Sequence, residues 1–198
     1  MKFRTLRLLA TPFIIMLILT GCGLKQDYIT ISYTPLSGVQ RVNGADGVSV
    51  RVQVADERKT KEHVGRKGDE YNFLARIIAQ DDLAGTVAKA IQNELQNRGF
   101  TLADGAGVVF VELIKAYNEF KGFPEKAVAE LIMNVQVKKP DGSIIFAKSV
   151  TGEGINSGVM LRTGSNAKVA LDAALKDAVS QLVNDGAFIG ALLNLTKT

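Results

Sequence analysis

The chain has 198 residues, with 24 Lys and Arg against 20 Asp and Glu, a single Cys, a single His and no Trp. One cysteine cannot close an internal disulfide, and one histidine without further thiols cannot build the usual zinc sites, so disulfide scaffolds and thiolate clusters are excluded. The net charge of +4 raises the question of nucleic acid, and the position of the charges answers it.

Lys2, Arg4 and Arg7 precede any acidic residue, and Leu8 to Thr20 carries no charge. A basic start, a short apolar core and a small-residue boundary form a secretory signal peptide, here residues 1–21. As a helix the uncharged run extends about 20 Å against about 30 Å of hydrocarbon, and Pro12 interrupts it, so it is too short to span a membrane. Without this leader the chain keeps 21 basic against 20 acidic side chains. The positive surplus belongs to export, and nucleic-acid binding has no support. The boundary Leu19-Thr20-Gly21-Cys22 resembles the lipobox at which bacterial lipoproteins are cleaved and acylated. That resemblance implies acyl chains on Cys22, and at about 0.8 kcal/mol per buried methylene several chains anchor a protein stably. It also implies an outer-membrane, periplasm-facing address, because Gly23 follows Cys22 in place of the aspartate that usually retains lipoproteins in the inner membrane.

Residues 22–45 read as a lipid-anchored tether. Within it Ile29, Ile31 and Tyr33 alternate with Tyr28, Thr30 and Ser32, the pattern of a short edge strand, before Pro35, Gly38, Gly44 and Gly47 punctuate a loop. A single domain over 46–198 follows. Its first strand is Val48 to Val54, with valines on one face and Ser49, Arg51 and Gln53 on the other. After a polar stretch, Phe73 to Ala79 has strand character. Asp81 and Asp82 are placed to cap a helix whose stripe is Ala84, Val87, Ala88, Ile91 and Leu95, closed by Arg98-Gly99-Phe100. Asp104-Gly105-Ala106-Gly107 is a turn leading into Val108 to Ala116, apolar on both faces apart from Glu112 and Lys115, as a central strand would be. Ala127 to Lys138 puts Ala127, Ala129, Leu131, Met133, Val135 and Val137 on one face, and Pro140-Asp141-Gly142 turns it into Ile144 to Thr151, a hairpin. Ala167 to Asn184 is a long helix with polar positions at every fourth residue, and Ala187 to Leu193 is apolar enough to need cover as a last short helix.

The expectation is an α+β domain: two helices packed on one face of a four- to five-stranded mixed sheet, in the order strand, helix, three strands, helix. This arrangement resembles the two-helix, four-stranded domain of the LptE family of lipopolysaccharide-assembly lipoproteins. The residues Val48 to Val52 leading into Val54-Ala55-Asp56-Glu57-Arg58, then Val64-Gly65-Arg66-Lys67, then Leu95 to Phe100, resemble the YajG-like lipoprotein family over most of the chain after the leader. The family implies a periplasmic lipoprotein of the outer membrane with no assigned chemistry.

No catalytic set emerges. Asp56, Glu57, Asp81 and Asp82 have structural readings as strand-end and cap residues. His63 lies in a charged stretch and reads as a solvated loop residue, and the glycines of the last long loop form no phosphate-binding run. The expectation is therefore a non-enzyme without cofactor or metal, a binding or assembly module with an envelope protein as partner. The alternative is a carrier or sensor of an amphiphile such as a glycolipid, held in a cleft between the helices and Thr151 to Gly164. Asp56 and Arg58, two apart, can pair to order the loop after the first strand. A docking face is expected on the side of the sheet away from the helices, at Arg51, Val128, Glu130, Ile132 and Asn134, unless the tether and Lys59 to Gln80 fold over it.

Overall fold

The computed structural model describes residues 25–68, 75–103 and 107–196; the leader expected at residues 1–21, Cys22, Phe73 and the turn expected at Asp104-Gly105-Ala106 lie outside them. In chain order the strands are β1 Asp27–Ile29, β2 Ser49–Asp56, β3 Gly65–Arg66, β4 Arg76–Ala79, β5 Thr101–Leu102, β6 Gly107–Lys121, β7 Lys126–Lys138 and β8 Ile144–Asn156. The helices are α1 Leu83–Asn97, α2 Gly164–Val183 and α3 Gly186–Leu193. The class is α+β, but among the described residues three α-helices and an eight-stranded mixed sheet replace the expected two and four to five. The additions are short: β3 and β5 have two residues each, too few for a period of two to show.

β6 is the axis of the sheet. Antiparallel β7 and then β8 line one of its edges. The other edge is shared: β2 runs parallel along Gly107 to Leu113, and β3 pairs at Asn118. β5 extends the sheet beyond β2, and β4 with β1 extends it beyond β3. A bulge between Leu113 and Lys115 inserts Ile114. Before it Val109, Val111 and Leu113 are buried on the helix side; after it Ala116, Asn118 and Phe120 are. This parity change is why the run read as apolar on both faces.

The helices cover one face. Val48, Val50, Val52, Leu131, Met133 and Val135 are all buried there. α1 ends in the expected glycine cap: Gly99 has φ +98°, its N–H donates to Gln96 O and that of Phe100 to Leu95 O, leaving Phe100 buried. Its start differs from expectation. Asp82 occupies the cap position without a side-chain bond, and its carbonyl accepts from Thr86 instead. Asp81 Oδ2 is buried without a partner among the described residues. α2 lies against β8 through Ala170, Ala174 and Ala178, all fully buried. The strand answers with Gly152 and Gly154: a Cβ on Gly154 would stand 2.0 Å from Ala170 O, and one on Gly152 2.2 Å from Ala174 O. α3 adds Phe188, packed edge-on to Phe146 with ring centroids 5.6 Å apart.

Residues 25–45 belong to this packing. β1 pairs with β4, and Ile29, Ile31 and Ala45 are buried. Asp27 accepts from the buried Lys67 at 2.7 Å and from Gly164 N–H, the first residue of α2, at 2.6 Å. Farther on, fully buried Glu94 of α1 accepts from Tyr33 Oη at 2.8 Å, Leu36 N–H at 2.9 Å and Arg98 Nη1 at 3.0 Å. Burial and then this hydrogen bond push the Tyr33 hydroxyl well above its ordinary range. Arg98 also donates to Asn184 Oδ1 at the end of α2, at 2.6 Å.

Two substitutions test this account by urea unfolding. Glu94→Ala leaves a buried guanidinium unpaired and is expected to cost about 3–5 kcal/mol. Gly154→Ala must push α2 off β8 and is expected to cost about 1–3 kcal/mol. Wild-type stability in either variant would refute the corresponding contact.

Candidate functional site

Among the described residues, no helix lies on the second face of the sheet. Arg51 and Gln53 are exposed there, and Val128, Glu130, Ile132, Asn134 and Gln136 are half-buried in a row along β7. The stretch expected to fold over this face does so only in part. Residues 29–36 run on the helix side, where Ser32 bonds Asp172 of α2 and Tyr33 bonds Glu94 of α1. Of the described residues between 59 and 80, those nearest β2 reach the open face, and they border a cleft.

That cleft, of about 370 Å³, lies where the bulge interrupts β6. Its apolar lining is Ile114, Ala116, Tyr117 and Ile132; its polar lining is Arg58, Lys59, Thr60 and Lys115. The strand geometry explains the opening. β2 leaves the edge of β6 at Leu113, where Glu57 N–H donates to the Leu113 carbonyl, and the chain returns at Val64, whose carbonyl accepts from Asn118 N–H. Between these two bonds the chain arches over the bulged strand.

Asp56 and Arg58 hold the start of the arch. The guanidinium donates through Nε to Asp56 Oδ1 at 2.9 Å and through Nη2 to Oδ2 at 2.8 Å, and Arg58 N–H adds a bond of 3.1 Å. Burial alone would raise the Asp56 carboxyl, but these bonds and the charge of Arg58 hold it below the usual carboxylate range. Arg58 is 8% exposed, and its Nη1 is buried with no partner among the described residues. On the facing strands Lys115 pairs with Glu130, so one of the expected docking residues already has a cationic neighbour.

Sequence reasoning missed Lys115 and Tyr117 as members of the site. The available signal was the spacing of Glu112 and Lys115 at three instead of two, which marks the bulge. It also misplaced the amphiphile cleft: Thr151 to Asn156 is the end of β8, pressed onto α2 at Gly152 and Gly154, and leaves no room there. His63 is buried, contrary to the solvated loop residue expected. Its ring meets Tyr117 edge-on with centroids 5.7 Å apart, and its Nε2 accepts from Arg66 Nε at 3.1 Å. No group of three metal-ligating side chains occurs among the described residues. The arrangement offers an apolar hollow edged by cations, two of which, Arg58 and Lys115, are ion-paired within the fold.

Burial, then the positive charges of Arg66 and Arg76, lower the His63 pKa, so the folded protein holds it neutral. The unfolded chain takes up the proton near pH 6.5; this residue's contribution to stability is therefore complete above that value and is lost as the pH falls through the lower folded pKa. His63→Phe is expected to flatten the decline in urea midpoint between pH 7 and 5, and an unchanged slope would refute the assignment.

The family model that matches the chain is described as an uncharacterized lipoprotein and covers residues 35–192. No curated protein matches the sequence. Among solved structures, protein XCC0632 from Xanthomonas campestris superposes with a TM-score of 0.56 at 11% identity, over 80% of this chain and 92% of that one. A minor lipoprotein from Acinetobacter baumannii gives 0.45 at 8% identity, over 70% and 91%. A homologue of a neuraminyllactose-binding hemagglutinin from Helicobacter pylori gives 0.48 at 8% identity, over 85% and 98%. The Xanthomonas likeness concerns the fold alone. With the family match running from Leu36's neighbour Pro35 to Leu192 and so over most of the chain, this protein belongs to that family of uncharacterized lipoproteins.

Proposed function

We propose that this lipoprotein is held at the outer membrane, facing the periplasm, by acyl chains on Cys22, and acts there as a non-enzymatic binding or assembly module of the cell envelope. Within the family, the residues from Val48 to Arg58 and the Arg98-Gly99-Phe100 cap support kinship with YajG-like lipoproteins. No helix among the described residues is long and apolar enough to cross a membrane, and the lipobox supplies a means of attachment.

The observation that carries the reading is the open sheet face. Both large helices and residues 29–36 occupy the other side, while this one presents Arg51, Val128, Glu130, Ile132 and Asn134 around a cleft with cationic lining. Apolar residues set singly among polar ones are the composition of a non-obligate interface. The partner that fits is an envelope protein with a partly apolar surface. A second reading, an amphiphile carrier, is favoured by one feature: the apolar cleft beside the unpartnered Arg58 Nη1, whose volume of about 370 Å³ is in the range of small-ligand sites.

Two experiments follow. Cys22→Ala is expected to lose its acyl mass and its membrane fraction, whereas lipid-free wild-type protein in the periplasm would refute the anchor. Ile132→Lys is expected to keep a cooperative unfolding transition and to lower the yield of the cross-linked partner from intact membranes at least about tenfold, the equivalent of 1.4 kcal/mol. Loss of the transition would make Ile132 a core residue and end the docking reading; lipid in place of protein at the cross-link would favour the second.

A further inference from the structure

The end of the domain nearest Cys22 carries its most exposed apolar side chains. The Lys25 carbonyl accepts from the buried Lys67 Nζ at 2.8 Å, so the chain is fixed to the fold three residues after Cys22. Three residues span at most about 11 Å. The pairing of β1 with β4, of β4 with β3 and of β3 with β6 places Lys25 at the same end of the sheet as Lys121, the last residue of β6. Two loops meet at that end. One is the β6–β7 connection at residues 122–125; the other follows β8 and is tied to the first by Val159 N–H donating to the Glu125 carbonyl at 3.1 Å and by Arg162 pairing with Glu125 at 2.6 Å. Arg162 Nη1 also reaches the Lys67 carbonyl at 3.4 Å, which connects both loops to the Lys25 anchor point.

On these loops Phe123, Met160 and Leu161 are 103%, 93% and 71% exposed, the highest values for large apolar side chains among the described residues. They add nothing to the core, and three such residues on two cross-linked loops do not arise from a shortage of buried positions. The opposite end offers a contrast, since the β7–β8 connection is the polar run Lys139-Pro140-Asp141-Gly142-Ser143.

Resting on the reading that Cys22 is acylated, we propose that this end is a membrane-contact surface: Phe123, Met160 and Leu161 enter the interfacial layer of the bilayer that holds the Cys22 acyl chains. The anchor makes the contact intramolecular, so weak insertion of three side chains suffices. Lys121 and Lys126, on either side of the first loop and exposed, can reach lipid phosphates. The strands then stand away from the bilayer, and the open sheet face is presented sideways to the periplasm.

The absence of tryptophan gives a direct test. Phe123→Trp, Leu161→Trp and, at the far end, Ile144→Trp are made one at a time in the full acylated chain and reconstituted into phosphatidylethanolamine–phosphatidylglycerol vesicles with brominated acyl chains. Side chains about 5–10 Å into the headgroup boundary should emit to the blue and lose at least about half their emission to the bromine. The Ile144→Trp protein, 54% exposed at that position in the wild type, should show neither effect. Acylated Phe123→Trp and Leu161→Trp proteins that emit as in water would overturn the inference and leave the anchor intact. Absence of the acyl mass would overturn the anchor reading and this inference with it.

Discussion

Glu94 is a carboxylate taken wholly out of water, and such a group persists only where donors surround it. Its three donors come from two parts of the chain: the Tyr33 hydroxyl and the Leu36 amide from the segment after β1, and the Arg98 guanidinium from the end of α1. Arg98 carries the connection further, donating to Asn184 at the end of α2 and accepting at its carbonyl from Val42 N–H. The segment after β1 is thereby committed to the groove beside α1 and α2. A segment so held cannot also cover the far side of the sheet. The availability of that face for a partner thus follows from where one buried charge finds its hydrogen bonds.

A second constraint sets the shape of the open face. α2 can lie close to β8 only because Gly152 and Gly154 have no Cβ, and the alanines of the helix match them. With the helix seated so low, β7 buries every second residue from Ala127 to Val137, which leaves the alternate set in an unbroken row on the other side. The bulge at Ile114 interrupts the matching row of β6 and turns Ile114, Lys115 and Tyr117 toward the arch from Arg58. Close packing on one side and one extra residue on the other produce the cleft.

Much of this was legible along the chain, and the exceptions have definite causes. The valines of β2, the strict alternation of β7, the Pro140-Asp141-Gly142 turn and the Arg98-Gly99-Phe100 cap are local patterns that tertiary contacts did not override. The two-residue strands β3 and β5 have no local pattern; they exist because β6 and β2 offer unpaired edges. Glu94 and His63 are polar residue types that sequence reading assigns to water; beside the near neighbours Arg98 and Arg66, partners more than fifty residues distant bring them inside. At the site, the spacing of Asp56 and Arg58 and the alternate residues of β7 could be read as a pair and a face. Tyr117 is harder to read, because its side follows from the bulge, whose one sign in the sequence is the three-residue spacing of Glu112 and Lys115.

The two ends of the sheet and its open face bear on which ligand the cleft serves. Ile114 lies seven residues from Lys121 along β6, about 23 Å at the rise of an extended strand. If, as proposed, Phe123, Met160 and Leu161 sit at the bilayer, the cleft stands about 13–23 Å out from it, from Tyr117 to Ile114, and a lipid that keeps its chains in the membrane reaches only the near edge. A protein surface meets no such obstacle; Arg58 and Lys115 are held by Asp56 and Glu130, which leaves Lys59 as the exposed cation of the lining. Under that proposed orientation, distance favours a protein partner at the open face over a membrane-resident amphiphile, before any detail of complementarity is considered.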